Sequence, residues 1–239
     1  MNTVFKPLAL TFFLTTSIIA QADIGTNLTL TSDYRYRGIS QSNEEVAIQG
    51  GIDWFNDTGF YASIWASNVD FFAPSNPYDD DASVEFDVWA GYAGNITDQF
   101  SYDATLYYYS YPGDNIDQNF TELSLGLNYA DFRLGYSYAD DYLNLGLNNQ
   151  YLEANYSTEL TVGINLSLHL GKSFGEVYNN TATIGLDEYM DYSISLSKTF
   201  NDLDFSLTYM DTDIAKTFAV DSDHLANQDA VVFSINRTF

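Results

Sequence analysis

The chain is 239 residues long and carries 8 Lys plus Arg against 33 Asp plus Glu, a formal net charge of −25. Acidity on that scale argues against nucleic acid and against an anionic membrane surface as partners. Cysteine is absent, which excludes disulfides and thiolate metal sites.

Lys6 gives a positive start, Leu8 to Ala20 is uncharged and apolar or small, and Ala20-Gln21-Ala22 has the small-x-small form of a cleavage site. Residues 1–22 therefore read as a secretory signal peptide and residues 23–239 as one mature domain. The apolar run is too short for a spanning helix, which takes about 20 residues.

From there the chain alternates. Ile24 to Arg37 reads as the first strand, with Leu28, Leu30, Tyr34 and Tyr36 on one face and Asn27, Thr29, Thr31, Asp33, Arg35 and Arg37 on the other. Gly38 to Glu45 connects it to Val46, Ile48, Ile52 and Trp54, which alternate with Gln49, Gly51 and Asp53. A turn at Asn56-Asp57-Thr58-Gly59 precedes a strand from Phe60 to Val69, and a polar loop with Asp79-Asp80-Asp81 follows. Val84, Phe86, Val88, Ala90 and Tyr92 then oppose Glu85, Asp87, Trp89 and Gly91. Further strands are expected over Phe100–Tyr109, over Leu123–Tyr129 with Glu122 inward, and over Phe132–Tyr138 after a tight turn at Ala130-Asp131. Gln150–Ser157 follows, and Thr158-Glu159 is expected to turn into Leu160–Gly171. In that segment Leu160, Val162, Ile164, Leu166, Leu168 and Leu170 fall on every second residue. A long loop from Lys172 to Glu188, a strand around Tyr192, Ile194 and Leu196, a tight turn at Asn201-Asp202, a strand around Leu203–Tyr209, a loop from Asp211 to Asn227 and a last strand Asp229–Phe239 complete the chain.

Alternate side chains of a strand point to opposite faces, so each segment has one greasy and one wet face. About ten tilted residues cross a bilayer core. The fold class expected is all-β: a transmembrane antiparallel up-and-down barrel of about twelve strands, with short turns alternating with long loops and both termini periplasmic. Closure removes the unpaired edges that lipid does not tolerate. Tyr34, Tyr36, Trp54, Tyr92, Tyr129, Tyr136, Tyr138, Tyr192 and Tyr209 are expected in the aromatic girdles. The location implied is the outer membrane of a Gram-negative bacterium.

The chain ends Val231, Phe233, Ile235 and Phe239 on one face, which resembles the terminal strand read by the barrel-assembly machinery; Arg237 interrupts the row, its charge snorkelling to water. Beyond this, Ser32-Asp33-Tyr34-Arg35-Tyr36-Arg37-Gly38-Ile39-Ser40-Gln41 resembles the opening motif of the TorF-type porin family. Gln49-Gly50-Gly51, Gly59-Phe60-Tyr61-Ala62, Trp65 to Phe71, Tyr107 to Gly113 and Asp211-Thr212-Asp213 are similar as well. The resemblance implies an outer-membrane barrel and a porin, without a substrate or a catalytic set.

Asp33, Arg35, Arg37, Asp53, Glu85, Asp87, Asp103, Glu122, Arg133, Glu153 and Asp191 are the candidate pore-lining residues, since the membrane forces charge inward. They form either a selective constriction or an ion-paired network that fills the barrel. The surplus of acid over arginine points to a mild cation preference. The acidic loops, Asp79-Asp80-Asp81 included, lack an ordered ligand spacing and read as solvated rather than as a metal site. His169 and Ser167 share a face, which leaves an outer-membrane hydrolase as one rival; a non-conducting structural or adhesive barrel is the other. No catalytic residue, metal or cofactor is assigned. The expected partners are outer-membrane lipid and lipopolysaccharide, the assembly machinery and small hydrophilic solutes.

Overall fold

The computed structural model describes residues 23–70, 82–179, 184–214 and 228–239. The expected leader, Asp79-Asp80-Asp81 and His224 lie outside these. The elements are β1 (Asp23–Thr31), β2 (Arg35–Tyr36), β3 (Ile39–Ser40), β4 (Ala47–Phe55), β5 (Phe60–Asn68), β6 (Val84–Asn95), β7 (Phe100–Ser110), β8 (Phe120–Tyr129), β9 (Phe132–Ala139), β10 (Asn149–Glu159), β11 (Asn165–Phe174), α1 (Glu176–Asn179), β12 (Tyr189–Phe200), β13 (Leu203–Thr212) and β14 (Ala230–Thr238).

All strands but β2 and β3 form one closed barrel in the order β1-β14-β13-β12-β11-β10-β9-β8-β7-β6-β5-β4. Each pairs antiparallel with its neighbours, and β1 closes the cylinder by pairing with both β4 and β14. No helix among the described residues is long and apolar enough to cross a membrane; the strands do the crossing. The apolar rows face outward: Leu123, Leu125 and Leu127 of β8 are exposed, while Glu122 between their row and the lumen is 2% exposed. That inversion of the soluble pattern is what a barrel in lipid requires. Trp54, Tyr92, Tyr129, Tyr138, Tyr192 and Tyr209 lie in these outward rows near strand ends. At the short-turn end, Asn201 and Asp202 take φ of 51° and 61°, the primed geometry that joins two twisted strands in two residues.

Two expectations about strand limits are corrected. The Leu160–Gly171 strand is displaced: β10 runs through Thr158 and Glu159, residues Thr161–Gly163 form a 3-10 turn, and β11 continues to Phe174. Val162 there has φ 64° and is 75% exposed. The turn keeps the parity of the outward leucines, so the alternation runs through it unbroken.

The larger correction is the first strand, which stops at Thr31 rather than Arg37. The chain then bends into the barrel. Residues 35–40 form a separate two-stranded hairpin, with Arg35 opposite Ser40 and Tyr36 opposite Ile39. Its two-residue tip is Arg37-Gly38, both at positive φ (49° and 83°). Asp33, Arg35 and Arg37 therefore lie inside on a hairpin, not on a wall strand. Tyr34 and Tyr36 are not girdle residues: Tyr34 packs edge-on against the inward Trp65, and Tyr36 against the inward Tyr109.

Candidate functional site in the lumen

Because lipid claims one face of every strand, the wet residues are collected on the inner wall, and the register sets which meet. One lateral row runs Asp103, Gly126, Gly135, Glu153, Gly171, Asp191 across β7 to β12. The three glycines leave room for neighbouring side chains to lie along the wall. A Cβ on Gly126 would fall 2.3 Å from both Arg133 Nη1 and Asp103 Oδ2. Over it, Arg133 makes a two-pronged pair with Asp103 at 2.5 and 2.9 Å, and its Nε lies 3.8 Å from Glu153. Such fork-to-carboxylate geometry is the strongest of the ordinary ion pairs.

Farther along the row, Tyr151 donates to both oxygens of Asp191 at 3.0 Å. His169 Nε2 lies 2.8 Å from Asp191 Oδ1, and its Nδ1 lies 2.6 Å from Asn155 Oδ1. Both ring nitrogens are thus engaged. Ser167 bonds Ser157 at 2.7 Å instead of the imidazole. The Ser–His pair expected of a hydrolase is not formed.

On β4, Asp53 is 3% exposed and accepts a hydrogen bond from Asn27 Nδ2 at 3.2 Å, with Ser63 opposite it on β5. On β6, Glu85 and Asp87 sit two residues apart on the same inner face and are almost wholly buried. Tyr111 donates to Glu85 Oε1 at 3.1 Å, and the Ser110 N–H bonds Asp87. Among the described residues neither acid makes an ion pair, and Glu85 Oε2 and Asp87 Oδ1 have no hydrogen-bond partner. Burial first, then the charge of Glu85, pushes the Tyr34 phenol well above its ordinary value, as it does that of Tyr111; both remain neutral donors.

The end of the barrel with the long connections is filled. Arg37 reaches Glu122 of β8 with Nη2 at 2.8 and 2.7 Å from its two oxygens. Its guanidinium lies over the rings of Tyr36 and Tyr151 at 4.7 and 4.2 Å, a stabilising arrangement of cation on aromatic face. Tyr189 donates to the Arg37 carbonyl at 3.1 Å. Arg35 bonds Asp33 at 2.6 Å and donates to the carbonyls of Gly38 and Gln228. Beside the tip, Ile39 packs on an apolar cluster of Val177, Tyr178, Leu186, Tyr189 and Ile214. The inward tyrosines are what the sequence reading missed. Tyr107, Tyr109 and Tyr151 share the parity of the lumen acids, which marks them; nothing local marks Tyr34 and Tyr36.

A closed barrel of twelve antiparallel strands, apolar outside and polar within, defines an outer-membrane β-barrel protein of porin-like fold from a Gram-negative bacterium. The chain belongs to the family described as "Bacterial protein of unknown function (Gcw_chp)", whose model matches residues 19–239. Among solved structures it is similar to the KdgM porin, at 10% identity and a TM-score of 0.54 over 92% of this chain and 98% of that one. A complex of that porin with disordered oligogalacturonate gives the same figures. The NanC porin is similar at 10% identity and 0.55 over 90% and 98%. These likenesses concern the fold. No curated protein matches the sequence.

Proposed function

We propose that the barrel is a channel for small hydrophilic solutes with a mild preference for cations. The observation that carries this is the charge left over inside. Each lumen arginine has a close acid partner, Arg35 with Asp33, Arg37 with Glu122 and Arg133 with Asp103, and Arg35 and Arg133 reach a second acid each, Glu44 and Glu153. Asp53, Glu85, Asp87 and Asp191 make no ion pair with an arginine among the described residues, and Glu153 shares Arg133 with Asp103. Close pairs cancel at short range, and burial favours the neutral form of unpaired acids, so it is the leftover carboxylates that remain ionised that set a negative potential in a low-dielectric-walled passage. The porin folds to which the chain is similar, and the TorF-type resemblance of residues 32–41, support the channel reading. No catalytic role is proposed, since His169 is held by Asp191, Tyr151 and Asn155.

Purified protein in a planar bilayer under a potassium chloride gradient tests it. The expected reversal potential has the cation sign and grows as the salt is diluted, because the Debye length rises from about 3 Å at 1 M to about 10 Å at 0.1 M. An anion-selective pore overturns the charge assignment. The filled long-connection end favours a second reading, a barrel that does not conduct; a silent bilayer would select it.

A further inference from the structure

We infer that the hairpin of residues 32–46 is a gate, latched across the lumen by the Arg37–Glu122 ion pair; as a gate it rests on the channel reading above. The hairpin leaves the wall between β1 and β4 and reaches the far side of the barrel. Its tip meets Glu122 on β8, Tyr151 on β10 and Tyr189 on β12. A Cβ on Gly38 would lie 2.3 Å from Thr212 Cγ2 and 3.1 Å from Asp191 Cβ, so the tip also touches β12 and β13. The hairpin therefore lies across the lumen from one wall to the other.

Three features separate a gate from a fixed filling. First, β2 and β3 pair with each other and with no barrel strand. At its base Ser32 bonds Phe233 of β14, the Gln41 carbonyl accepts from the Asp70 N–H and the Val46 carbonyl from Asn68, whereas the tip, residues 35–40, holds the far wall through side chains and one carbonyl and can swing without opening a strand ladder of the barrel. Second, the attachment to the wall is made of one two-pronged ion pair and a set of weaker contacts: Arg37 over Tyr151, the Tyr189 bond, the seating of Ile39, Gly38 against Thr212, and the rings of Tyr34 and Tyr36 against Trp65 and Tyr109. Third, closure leaves buried polar atoms unmatched. Arg37 Nη1 and the Tyr36 hydroxyl have no hydrogen-bond partner among the described residues. A buried unmatched group is costly, and opening returns such groups to water. Arg37 itself is held in the left-handed region, where a side chain is unfavourable. The closed state is thus opposed by several small costs and held by one ion pair together with weaker ring and apolar contacts. Removing one partner of a buried ion pair leaves the other uncompensated, so the latch is the point at which the balance tips.

The chain has no cysteine, which permits a single reporter, Ile39→Cys, read by its rate of modification with a membrane-impermeant maleimide in lipid vesicles. Into this background go Glu122→Gln, which removes the charge and keeps the shape, and Arg37→Lys, which keeps the charge and loses the fork; should Glu122→Gln not reach the folded, heat-modifiable form, Arg37→Lys carries the test. Modification is expected to accelerate about tenfold or more in either variant, equivalent to about 1.4 kcal/mol or more in the closed-to-open equilibrium, and the open fraction in planar bilayers should rise in parallel. Unchanged modification in a folded variant overturns the latch. Accelerated modification with every variant electrically silent upholds the movable hairpin and overturns the channel reading. Wild-type conduction with unchanged modification does the reverse.

Discussion

Gly38 carries the tightest steric demand in the hairpin. At φ +83° any side chain is disfavoured, and the place of its Cβ is already occupied by Thr212 and Asp191. Gly38→Ala pays the left-handed backbone cost, about 1–2 kcal/mol for an L-residue, and pushes the tip from the wall. It is expected to speed modification of a cysteine at Ile39 while heat-modifiable migration of the barrel is unchanged, because Gly38 makes no hydrogen bond to a barrel strand. Arg37 beside it shows why one residue is not interchangeable with its neighbour in sequence. Both lumen arginines of the hairpin are paired, but Arg35 is tied to groups of the connections, Asp33, Gly38, Glu44 and Gln228, whereas Arg37 spans to β8. Only the second joins the hairpin to the opposite wall.

Among the elements, the turn between β10 and β11 is the one whose residues fit their backbone least. Val162 is β-branched, held at φ 64°, and exposed. Asn tolerates that conformation, so Val162→Asn is expected to stabilise the barrel by about 1 kcal/mol, read as a higher urea midpoint for unfolding from lipid vesicles with an unchanged slope. The same turn shows where sequence patterning stops being informative. Inward and outward faces are legible along the wall because lipid penalises every exposed charge, so alternation alone places Glu85, Asp87, Glu122 and Asp191 inside. Alternation reports faces, not ends. A turn that preserves parity, as Thr161–Gly163 does, is invisible to it, and so is a bend. Asp33, Tyr34, Arg35, Tyr36 and Arg37 alternate as a strand would, but only Arg35 and Tyr36 form one, in a hairpin within the lumen. What sends them there is a partner 85 residues away, Glu122, and an inner wall of aromatic rings assembled from β5, β7 and β10. No local pattern encodes a contact at that separation.

For the whole molecule the decisive event is closure, and the seam between β1 and β14 is its weakest join. β1 is in register with β4 along its full length, Asp23 to Thr31, but with β14 only from Asn27 to Thr31. Below that, the seam is extended by Phe239 alone: its N–H donates to the Thr26 carbonyl at 2.8 Å and its carbonyl accepts from the Thr26 N–H at 3.3 Å. Phe239 is 66% exposed, with the Arg237 guanidinium 5.0 Å from the centre of its ring. Val231, Phe233 and Ile235 continue the same row, the face proposed to be read during assembly. Deleting Phe239 therefore removes two hydrogen bonds, each worth about 0.5–1.5 kcal/mol, from a barrel whose other ladders are intact. The finished barrel should lose little: a fall of about 1–3 kcal/mol in unfolding free energy. Insertion is different, because the last strand must be recognised and brought to β1 before any closed ladder exists to hold it, and the exposed terminal ring is then the available handle. The heat-modifiable fraction in the outer membrane is expected to drop several-fold on deletion, while barrels that do fold melt close to wild type. Equal folded yields with a large loss of stability would make Phe239 a structural clasp and not an assembly signal.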